Sequence, residues 1–315
     1  MLGGFVAIIT LVILGWLLVV FSGEGRIKQP ISKKSKIILG ISGISILIVG
    51  YGALSYRQHL KNPDDTTLPT LSQLSHGFIR TITPPEEKNN DILREAFGSK
   101  KSEKSVWSKV TSTWLFQDVT ATYGRLIRGL LWGCIISIVL GTLMGCYEWL
   151  GSFLIPPLAL LAKTPGTAML AVFFVIVGTG EPMFVTMIGF GILPTLTQTI
   201  YLAAKEDLHT EQIDKAYTLG ANNMELICNV VFPQILPKII DNVRLQIGPA
   251  MVFLIAAEML VGDVGMGYQI RMQQRLVQMN IVYDYLLILG VTGLLMDQGI
   301  IHLRKFLCPW FDIKR

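Results

Sequence analysis

The side chains best placed for chemistry in this sequence are ionisable groups inside apolar segments. Glu258 is the clearest example, because residues 245–262 around it carry no other charge. A carboxylate at that depth is costly unless it faces other protein groups or a water-filled cavity. Two roles therefore stay open for Glu258: a group that lines or gates a pathway, or a structural carboxylate paired with donors on an adjacent helix.

Three basic residues also lie at the ends of apolar stretches or between them. Arg125 and Arg128 are near one end of an apolar segment, and Lys163 stands between two such segments. Each could attract an anion. Alternatively, each extends its charged end to the membrane interface and leaves only its aliphatic part in the apolar region.

Composition indicates a membrane protein. Of 315 residues, 51% are hydrophobic and only 16% are charged, whereas an ordinary soluble domain is roughly 25% charged. The net charge of +5 comes without a dense basic face carrying interleaved aromatic residues, so nucleic acid is not an expected partner. The four cysteines lack CxxC or Cys/His ligand spacing, which argues against a zinc site or a disulfide framework; they are Cys134, Cys146, Cys228 and Cys308.

Apolar runs close to the ~20 residues that cross a bilayer recur along the chain. We predict an all-α polytopic membrane protein with about seven transmembrane helices. The predicted spans are Leu2–Phe21, Ile37–Leu54, Arg128–Tyr147, Thr167–Val177, Met183–Ala204, Ile240–Val261 and Tyr285–Leu303. The first has no basic n-region and no A-x-A cleavage site, so we expect a retained helix.

Positive charges predict the orientation of these spans. The short loop between the first two spans carries Arg26, Lys28, Lys33, Lys34 and Lys36, which places it in the cytoplasm and the N-terminus outside. Alternation then puts residues 205–239 and the basic C-terminal tail in the cytoplasm. We divide the chain into residues 1–56 with two N-terminal helices, a polar extracytoplasmic segment at 57–119, and a membrane domain at 120–310.

Two features of the membrane domain concern helix geometry. Pro156, Pro157 and Pro165 interrupt an apolar stretch, so we expect a broken helix within residues 149–180. Small residues recur at fourth positions of the span that begins near Arg128, a pattern typical of close helix packing. They are Gly129, Gly133, Gly141 and Gly145.

The segment Asp214–Pro237, "DKAYTLGANNMELICNVVFPQILP", is a polar island between two long apolar runs. Gly220 is placed to end a helix in the left-handed conformation. Asn222 can cap a second helix, with Glu225 completing a capping box, and Pro233 is expected to end that helix. The pattern predicts a cytoplasmic helix pair at 207–232, which is either a mechanical handle or a simple connection between spans.

The polar island resembles the cytoplasmic motif of binding-protein-dependent ABC importer permeases, E-A-A-x-x-x-G, nine residues, then I-x-L-P. The spacing is intact, and the motif positions hold Asp214, Lys215, Ala216, Gly220, Val230, Phe232 and Pro233. The departures are Asp for Glu, Lys for the first Ala and Phe for Leu. The resemblance implies that a partner ATPase is contacted by Asp214, Lys215, Ala216, Tyr217, Gly220, Ala221, Asn222, Glu225 and Pro233.

Other stretches resemble one branch of these permeases, which imports nitrate, sulfonates, taurine and bicarbonate. "TATYGRLIRG" is similar to its T-x-x-R-x-x-x-G motif, "IVGTGE" to its G-x-G-E motif, and "AAEMLVGDVGMGY" to its A-A-E-M and G-x-G-Y motifs. The similarity covers roughly residues 110–310. It directs attention to four pathway or gate candidates, Thr122, Arg125, Glu258 and Met259.

The resemblance implies a six-helix type I importer core in a bacterial inner membrane, without catalytic residues, metal or cofactor of its own. Two copies, or a pair of related permeases, form the pathway; two cytoplasmic subunits bind ATP and Mg, and an extracytoplasmic protein delivers a small solute. Such a solute would be an anion such as nitrate, bicarbonate, cyanate or a sulfonate. The alternatives from other classes are a stand-alone channel or secondary transporter, and a membrane scaffold.

Overall fold

The computed structural model describes residues 33–62, 66–82, 113–208 and 210–312, in which every regular element is a helix. The helices are α1 Lys33–Lys61, α2 Leu71–Ile82, α3 Trp114–Cys146, α4 Glu148–Lys163, α5 Leu170–Val177, α6 Glu181–Asp207, α7 Thr210–Thr218, α8 Asn223–Val261, α9 Met266–Arg275, α10 Met279–Leu307 and α11 Pro309–Asp312.

Five helices, α1, α3, α6, α8 and α10, are long and apolar enough to cross a membrane. The all-α membrane fold is thereby confirmed. The predicted span Leu2–Phe21 and the residues 83–112 of the polar segment lie outside the described residues.

Contacts divide the chain into two units, and the first contains α1, α2 as far as Arg80, and residues 276–284. Tyr51 on α1 donates a hydrogen bond to the Pro69 carbonyl at 2.8 Å, and its ring meets the Tyr283 ring edge-on, with centroids 5.6 Å apart. Gly77 on α2 lies against Asp284, where a Cβ would come within 2.6 Å of the carboxylate Oδ2. The first unit is thus held by backbone-directed hydrogen bonds and by one close glycine contact.

The second unit contains the remaining described helices and is built around the pair α3 and α6. The predicted glycine stripe lies on the contact face of α3. A Cβ on Gly129 would come within 2.6 Å of Ile188, one on Gly133 within 2.7 Å of Ile192, and one on Gly141 within 2.8 Å of Ile200; Gly145 meets Ala204. Because these four positions of α3 have no side chains, α6 packs closely against α3 from Gly129 to Gly145, as the fourth-residue spacing predicts.

Successive glycines of α3 meet successive residues of α6 in the same order, so the two helices run in the same direction. The chain must therefore return across the unit between them, and α4, a break at Thr164–Met169 and α5 make that return. Pro156 and Pro157 lie inside α4 without breaking it. The break expected within 149–180 is present, but it follows Lys163, beside Pro165, rather than the proline pair.

Pro233 does not end a helix, contrary to the prediction, because α8 continues through it from Asn223 to Val261. Residues Ile227–Val231 form a π-helical turn, in which Phe232 N–H bonds to the Ile227 carbonyl five residues before it. Pro233 lies just after this turn, where the α-helical hydrogen-bond pattern resumes. The N–H that proline lacks therefore does not interrupt the helix. Pro237 also lies inside the helix.

Candidate functional site

Polar residues from three separate sequence motifs meet at the first end of α3. Asp118, Thr122 and Arg125 lie on one face of α3, because spacings of four and three residues return to the same side of a helix. All three are buried. We call them, together with Glu181, Glu258 and Tyr285, the Arg125 cluster.

Glu258 is completely buried, with 0% of its surface exposed. Its Oε1 atom is 2.8 Å from Arg125 Nη1, and the Thr122 hydroxyl lies 3.0 Å from both carboxylate oxygens. The Gly267 N–H donates to Oε2 at 3.0 Å. Both oxygens therefore have hydrogen-bond donors, which is what a carboxylate buried in an apolar helix requires.

Arg125 is a bridge rather than a free cation. Besides Glu258, its guanidinium contacts Glu181 through Nε at 2.7 Å and Nη2 at 2.6 Å, and Nη1 donates to the Val264 carbonyl at 2.7 Å. The Phe184 ring centroid lies 4.3 Å from its central carbon. Arg125 thus joins the start of α6 to the end of α8 through its own helix.

Arg128, one turn further along α3, has a different environment. Its side chain is 56% exposed; Nη2 lies 3.0 Å from Glu181 Oε2, and Nε donates to the Gly124 carbonyl of its own helix at 3.0 Å. Of the two arginines considered from the sequence, the structure buries one and leaves the other at the surface.

The Arg125 cluster also fastens the loop that joins α8 to α9. Gly265 N–H donates to Asp118 Oδ1 at 3.1 Å, and Met266 N–H donates to the Thr122 hydroxyl at 2.8 Å. Gly265 has φ +129°, and a Cβ there would lie 2.6 Å from Glu258 Oε1. Only glycine fits both restrictions, which accounts physically for one glycine of the "GMGY" motif.

The sequence indicated three members of the cluster, Thr122, Arg125 and Glu258, and missed the other three. Tyr285 donates to Asp118 Oδ2 at 2.8 Å. We predicted that Asp118 belongs to the polar segment at 57–119, but it lies on α3, one helical turn before Thr122. Met259 is half-buried next to Glu258, and Lys163 is exposed at the end of α4.

The polar island lies at the opposite end of α6, a helix of 27 residues and about 40 Å. Helix α7 ends in a Schellman motif: Ala221 N–H bonds to the Ala216 carbonyl at 3.0 Å, Gly220 N–H to the Tyr217 carbonyl at 2.9 Å, and Gly220 has φ +85°. The Asn222 N–H then donates to Glu225 Oε2 at 2.8 Å in the predicted capping box. The glycine stop and the asparagine cap are both as the sequence predicts.

The two faces of α7 have different environments. Ile213 and Ala216 pack against a buried cluster of the same chain, which includes Leu226 and Ile235. Asp214 and Lys215 are exposed. The surface open to a partner is the tip between the helices, where three large apolar side chains are exposed: Tyr217, Leu219 (88%) and Met224.

The end of α6, just before the polar island, is tied to α8. Asp207 Oδ1 lies 2.7 Å from Lys238 Nζ, and the Asp207 carbonyl accepts from Gln234 Nε2 at 2.6 Å. Tyr217 OH donates to Asn223 Oδ1 at 2.9 Å, which joins α7 to the first turn of α8. These bonds hold the tip at a fixed position on α6 and α8.

Among the described residues, no group of three His, Cys, Asp or Glu side chains could hold a metal ion. The site offers ion pairs, apolar contact and backbone hydrogen bonds.

Comparisons with known proteins agree on one family. The family model described as "Binding-protein-dependent transport system inner membrane component" matches residues 133–303. The chain is 30% identical to a putative ABC transporter permease protein of Methanocaldococcus jannaschii over 198 residues, which are 62% of this chain and 73% of that protein. It is 23% identical to the taurine transport system permease protein TauC of Escherichia coli, covering 78% and 84%.

The nitrate import permease protein NrtB of Synechocystis is 26% identical and is aligned over 61% of this chain and 70% of its own length. Among solved structures, the inward-facing MetNI methionine ABC transporter shares the fold, with a TM-score of 0.54 and 17% sequence identity over 66% of this chain and 99% of that one.

Proposed function

The chain belongs to the family of inner membrane components of binding-protein-dependent transport systems, and we propose that it imports a small anion with energy from a partner ATPase. As a permease of the branch that includes the nitrate and taurine permeases, it works with an ATPase and a binding protein. Its part is to provide the membrane pathway. The Arg125 cluster and the polar island lie at the two ends of that pathway.

The observation that carries the coupling role is the exposed apolar tip of the polar island. Tyr217, Leu219 and Met224 leave large apolar surfaces uncovered on a segment whose backbone is fixed by a Schellman motif and a capping box. An exposed apolar patch on a rigid support is typical of a protein–protein contact. Movement of an ATPase docked there would act directly on α8, because α8 begins within the island.

In this mechanism, α8 transmits the movement from the island to the Arg125 cluster. The helix is continuous for 39 residues, or about 58 Å. Its far end holds Glu258, which is joined through Arg125 to α3 and α6. We place the extracytoplasmic gate at this cluster, where a shift of α8 would alter the loop that follows Gly262. Two copies of the chain, or this chain with a related permease, enclose the pathway.

Reconstitution of the permease with its ATPase and binding protein tests this function. The loaded binding protein should stimulate ATP hydrolysis, and hydrolysis should drive solute uptake. Leu219→Asp places a charge on the exposed tip and should reduce both activities at least about tenfold, which corresponds to about 1.4 kcal/mol of lost contact. Gly220→Asp should act similarly, because an L-residue is strained at φ +85°.

The matched control is Ser72→Asp, which adds the same charge at an exposed position of α2. It should leave membrane insertion and ATPase binding unchanged. Uptake that proceeds without ATP or the ATPase would instead identify a stand-alone channel. Normal coupling in both island variants would disprove the role of the tip.

A further inference from the structure

A small cavity lies in the second unit, away from the Arg125 cluster and the polar island. Its volume is about 200 Å³, and its walls come from the end of α4, the break after α4, the middle of α6 and the middle of α8. The residues that matter for its chemistry are Gly166, Phe190, Gly191, Thr195, Gln246 and Phe253. Pro194, near the midpoint of the 27-residue α6, also lines it.

The broken backbone between α4 and α5 forms part of the wall. Thr164, Gly166 and Met169 belong to this non-helical stretch, and all three line the cavity. Irregular backbone at membrane depth is tolerated where it is buried in protein or lines a water-filled space, because its polar groups need partners. The break therefore has a physical reason to line a cavity that water or a solute can enter.

Gln246 supplies a hydrogen-bond donor that has no partner. Its side chain is only 8% exposed, and its amide makes one hydrogen bond, with the Thr195 hydroxyl at 3.2 Å. Whichever way the amide is turned, at least one of its two N–H groups remains without a partner in the part of the chain that the structure describes. The Gln246 amide oxygen accepts from the Thr195 hydroxyl, and its nitrogen is accessible rather than buried, so its N–H groups are free to donate to a group bound in the cavity.

Pro194 leaves a further polar group at the same wall. Proline has no N–H, so the carbonyl of Phe190, one turn earlier, loses its helical donor. Phe190 and Pro194 both line the cavity. This carbonyl oxygen only accepts hydrogen bonds and does not bind an anion, so the Gln246 amide is the donor on which an anion would depend; the lining has no charged residue.

Phe253 fits between two glycines at the side of the cavity. A Cβ on Gly166 would come within 2.8 Å of Phe253 Cζ, and one on Gly191 within 2.5 Å of Phe253 Cε2. Any side chain at either position would push the ring from its place. The two glycines therefore set the position of an aromatic wall, and with it the width of the cavity.

We propose that this cavity is a passage site for a small monovalent oxyanion, with the Gln246 amide as donor and Phe253 as the wall that limits size; it rests on the proposed function. The volume lies below the roughly 300–1,000 Å³ of sites for drug-sized ligands, which fits a solute with few heavy atoms. An uncharged lining disfavours a doubly charged anion more than a singly charged one, because the cost of burying charge without a counterion rises with the charge. Binding through hydrogen bonds alone is also weak enough to permit release.

Uptake by the complete complex in proteoliposomes tests the site, with nitrate, bicarbonate, taurine and sulfate as probes. Gln246→Leu should reduce uptake of the transported monovalent probe at least about tenfold, while the binding protein still stimulates ATP hydrolysis to within about twofold. Gly191→Ala should displace Phe253 and reduce uptake of taurine more than uptake of nitrate or bicarbonate. A merely structural effect would lower all probes, and the ATPase activity, together.

Gly248→Ala is the matched control, since this glycine lies on the same helix with open space around it. It should change neither rate nor selectivity. If the parent complex transports a probe and Gln246→Leu transports it equally well, the site is wrong while the function stands. Preferred uptake of sulfate would overturn the ligand class, and an absence of ATP-driven uptake by the parent would overturn the function and the site together.

Discussion

At the scale of single residues, the Arg125 cluster shows how a buried charge becomes acceptable in a membrane helix. Glu258 has four donor contacts from Arg125, Thr122 and Gly267, and Arg125 is shared with a second carboxylate, Glu181. The cluster is asymmetric. Loss of Glu258 leaves Arg125 with a counterion, whereas loss of Arg125 leaves Glu258 buried without one.

This asymmetry predicts unequal effects of two substitutions. Arg125→Met should destabilise the permease by about 3–5 kcal/mol, the cost of breaking a buried ion pair, and Glu258→Gln should cost clearly less. The amount of assembled complex and its thermal unfolding measure the difference. The double variant Arg125→Met/Glu258→Met should recover part of the loss, because no buried charge is then unpaired.

Arg128→Met provides the control on the same helix. The pair between Arg128 and Glu181 is exposed, and exposed ion pairs contribute only about 0–1 kcal/mol. Equal losses for Arg125→Met and Arg128→Met would contradict the bridging role of Arg125.

Sequence patterns identified Glu258 and Arg125 because each is an isolated charge beside apolar residues. They did not identify Asp118 or Tyr285 and noted Glu181 only as the end of its G-x-G-E motif, because a residue's partner on another helix is fixed only by packing. The spacing of Asp118, Thr122 and Arg125 on one helical face was an available signal, but it becomes visible only when α3 is known to begin at Trp114.

At the scale of elements, α8 and α10 are joined by two ion pairs. Arg304 Nη1 lies 2.7 Å from Asp241 Oδ2, and Arg244 Nε lies 2.7 Å from Asp297 Oδ1. The order of the pairs shows that the two helices are antiparallel. Because many large apolar residues of α10 are exposed, these ion pairs are specific contacts that fix the position of α10 relative to α8, the helix that begins in the polar island.

Charge reversal tests this connection. Asp241→Arg alone, or Arg304→Asp alone, places like charges together and should cost a few kcal/mol, seen as a lower thermal midpoint and weaker ATP-driven uptake. The double variant Asp241→Arg/Arg304→Asp restores opposite charges and should recover most of both. Lys305→Asp, an exposed neighbour, is the control, and failure of the double variant to recover would argue against a specific pair.

Proline was a mixed guide to the elements. The break expected within residues 149–180 is present beside Pro165, whereas Pro156, Pro157 and Pro233, which was expected to end a helix, lie within helices. A neighbouring π-turn removes the conflict at Pro233, and such a turn depends on a hydrogen-bond pattern that the sequence does not display. By contrast, Gly220 and Asn222 were predicted correctly, because their conformations are determined by residues within one helical turn.

At the scale of the whole molecule, the fold class was predictable because a bilayer permits few solutions: each apolar run of sufficient length forms a helix. The return crossing was predicted as the span Thr167–Val177 with a broken helix within residues 149–180, but its division into α4 and α5 was harder to predict, since neither helix alone has the length and composition of a span. The parallel packing of α3 and α6, which is a property of three-dimensional contacts, requires such a crossing. The cavity with Gln246 at its wall could not be read from the sequence for the same reason.

The orientation of the chain in the membrane is the remaining prediction, and Cys228 is a natural reporter of it. This thiol is exposed within the polar island, whereas Cys308 is buried and Cys134 and Cys146 are half-buried. The basic loops predict that the island faces the cytoplasm. A membrane-impermeant maleimide should therefore label the protein in inside-out vesicles and not in intact cells.

Two variants make this experiment specific. Cys228→Ser should abolish the labelling, and Ser72→Cys in the Cys228→Ser background should be labelled only from the outer side, since Ser72 is exposed on α2 in the segment predicted to be extracytoplasmic. Bound ATPase should slow the reaction of Cys228, because the thiol lies on the first turns of α8, next to the tip that we propose as its docking surface. Labelling of Cys228 in intact cells would reverse the orientation and would exclude the island as a cytoplasmic coupling segment.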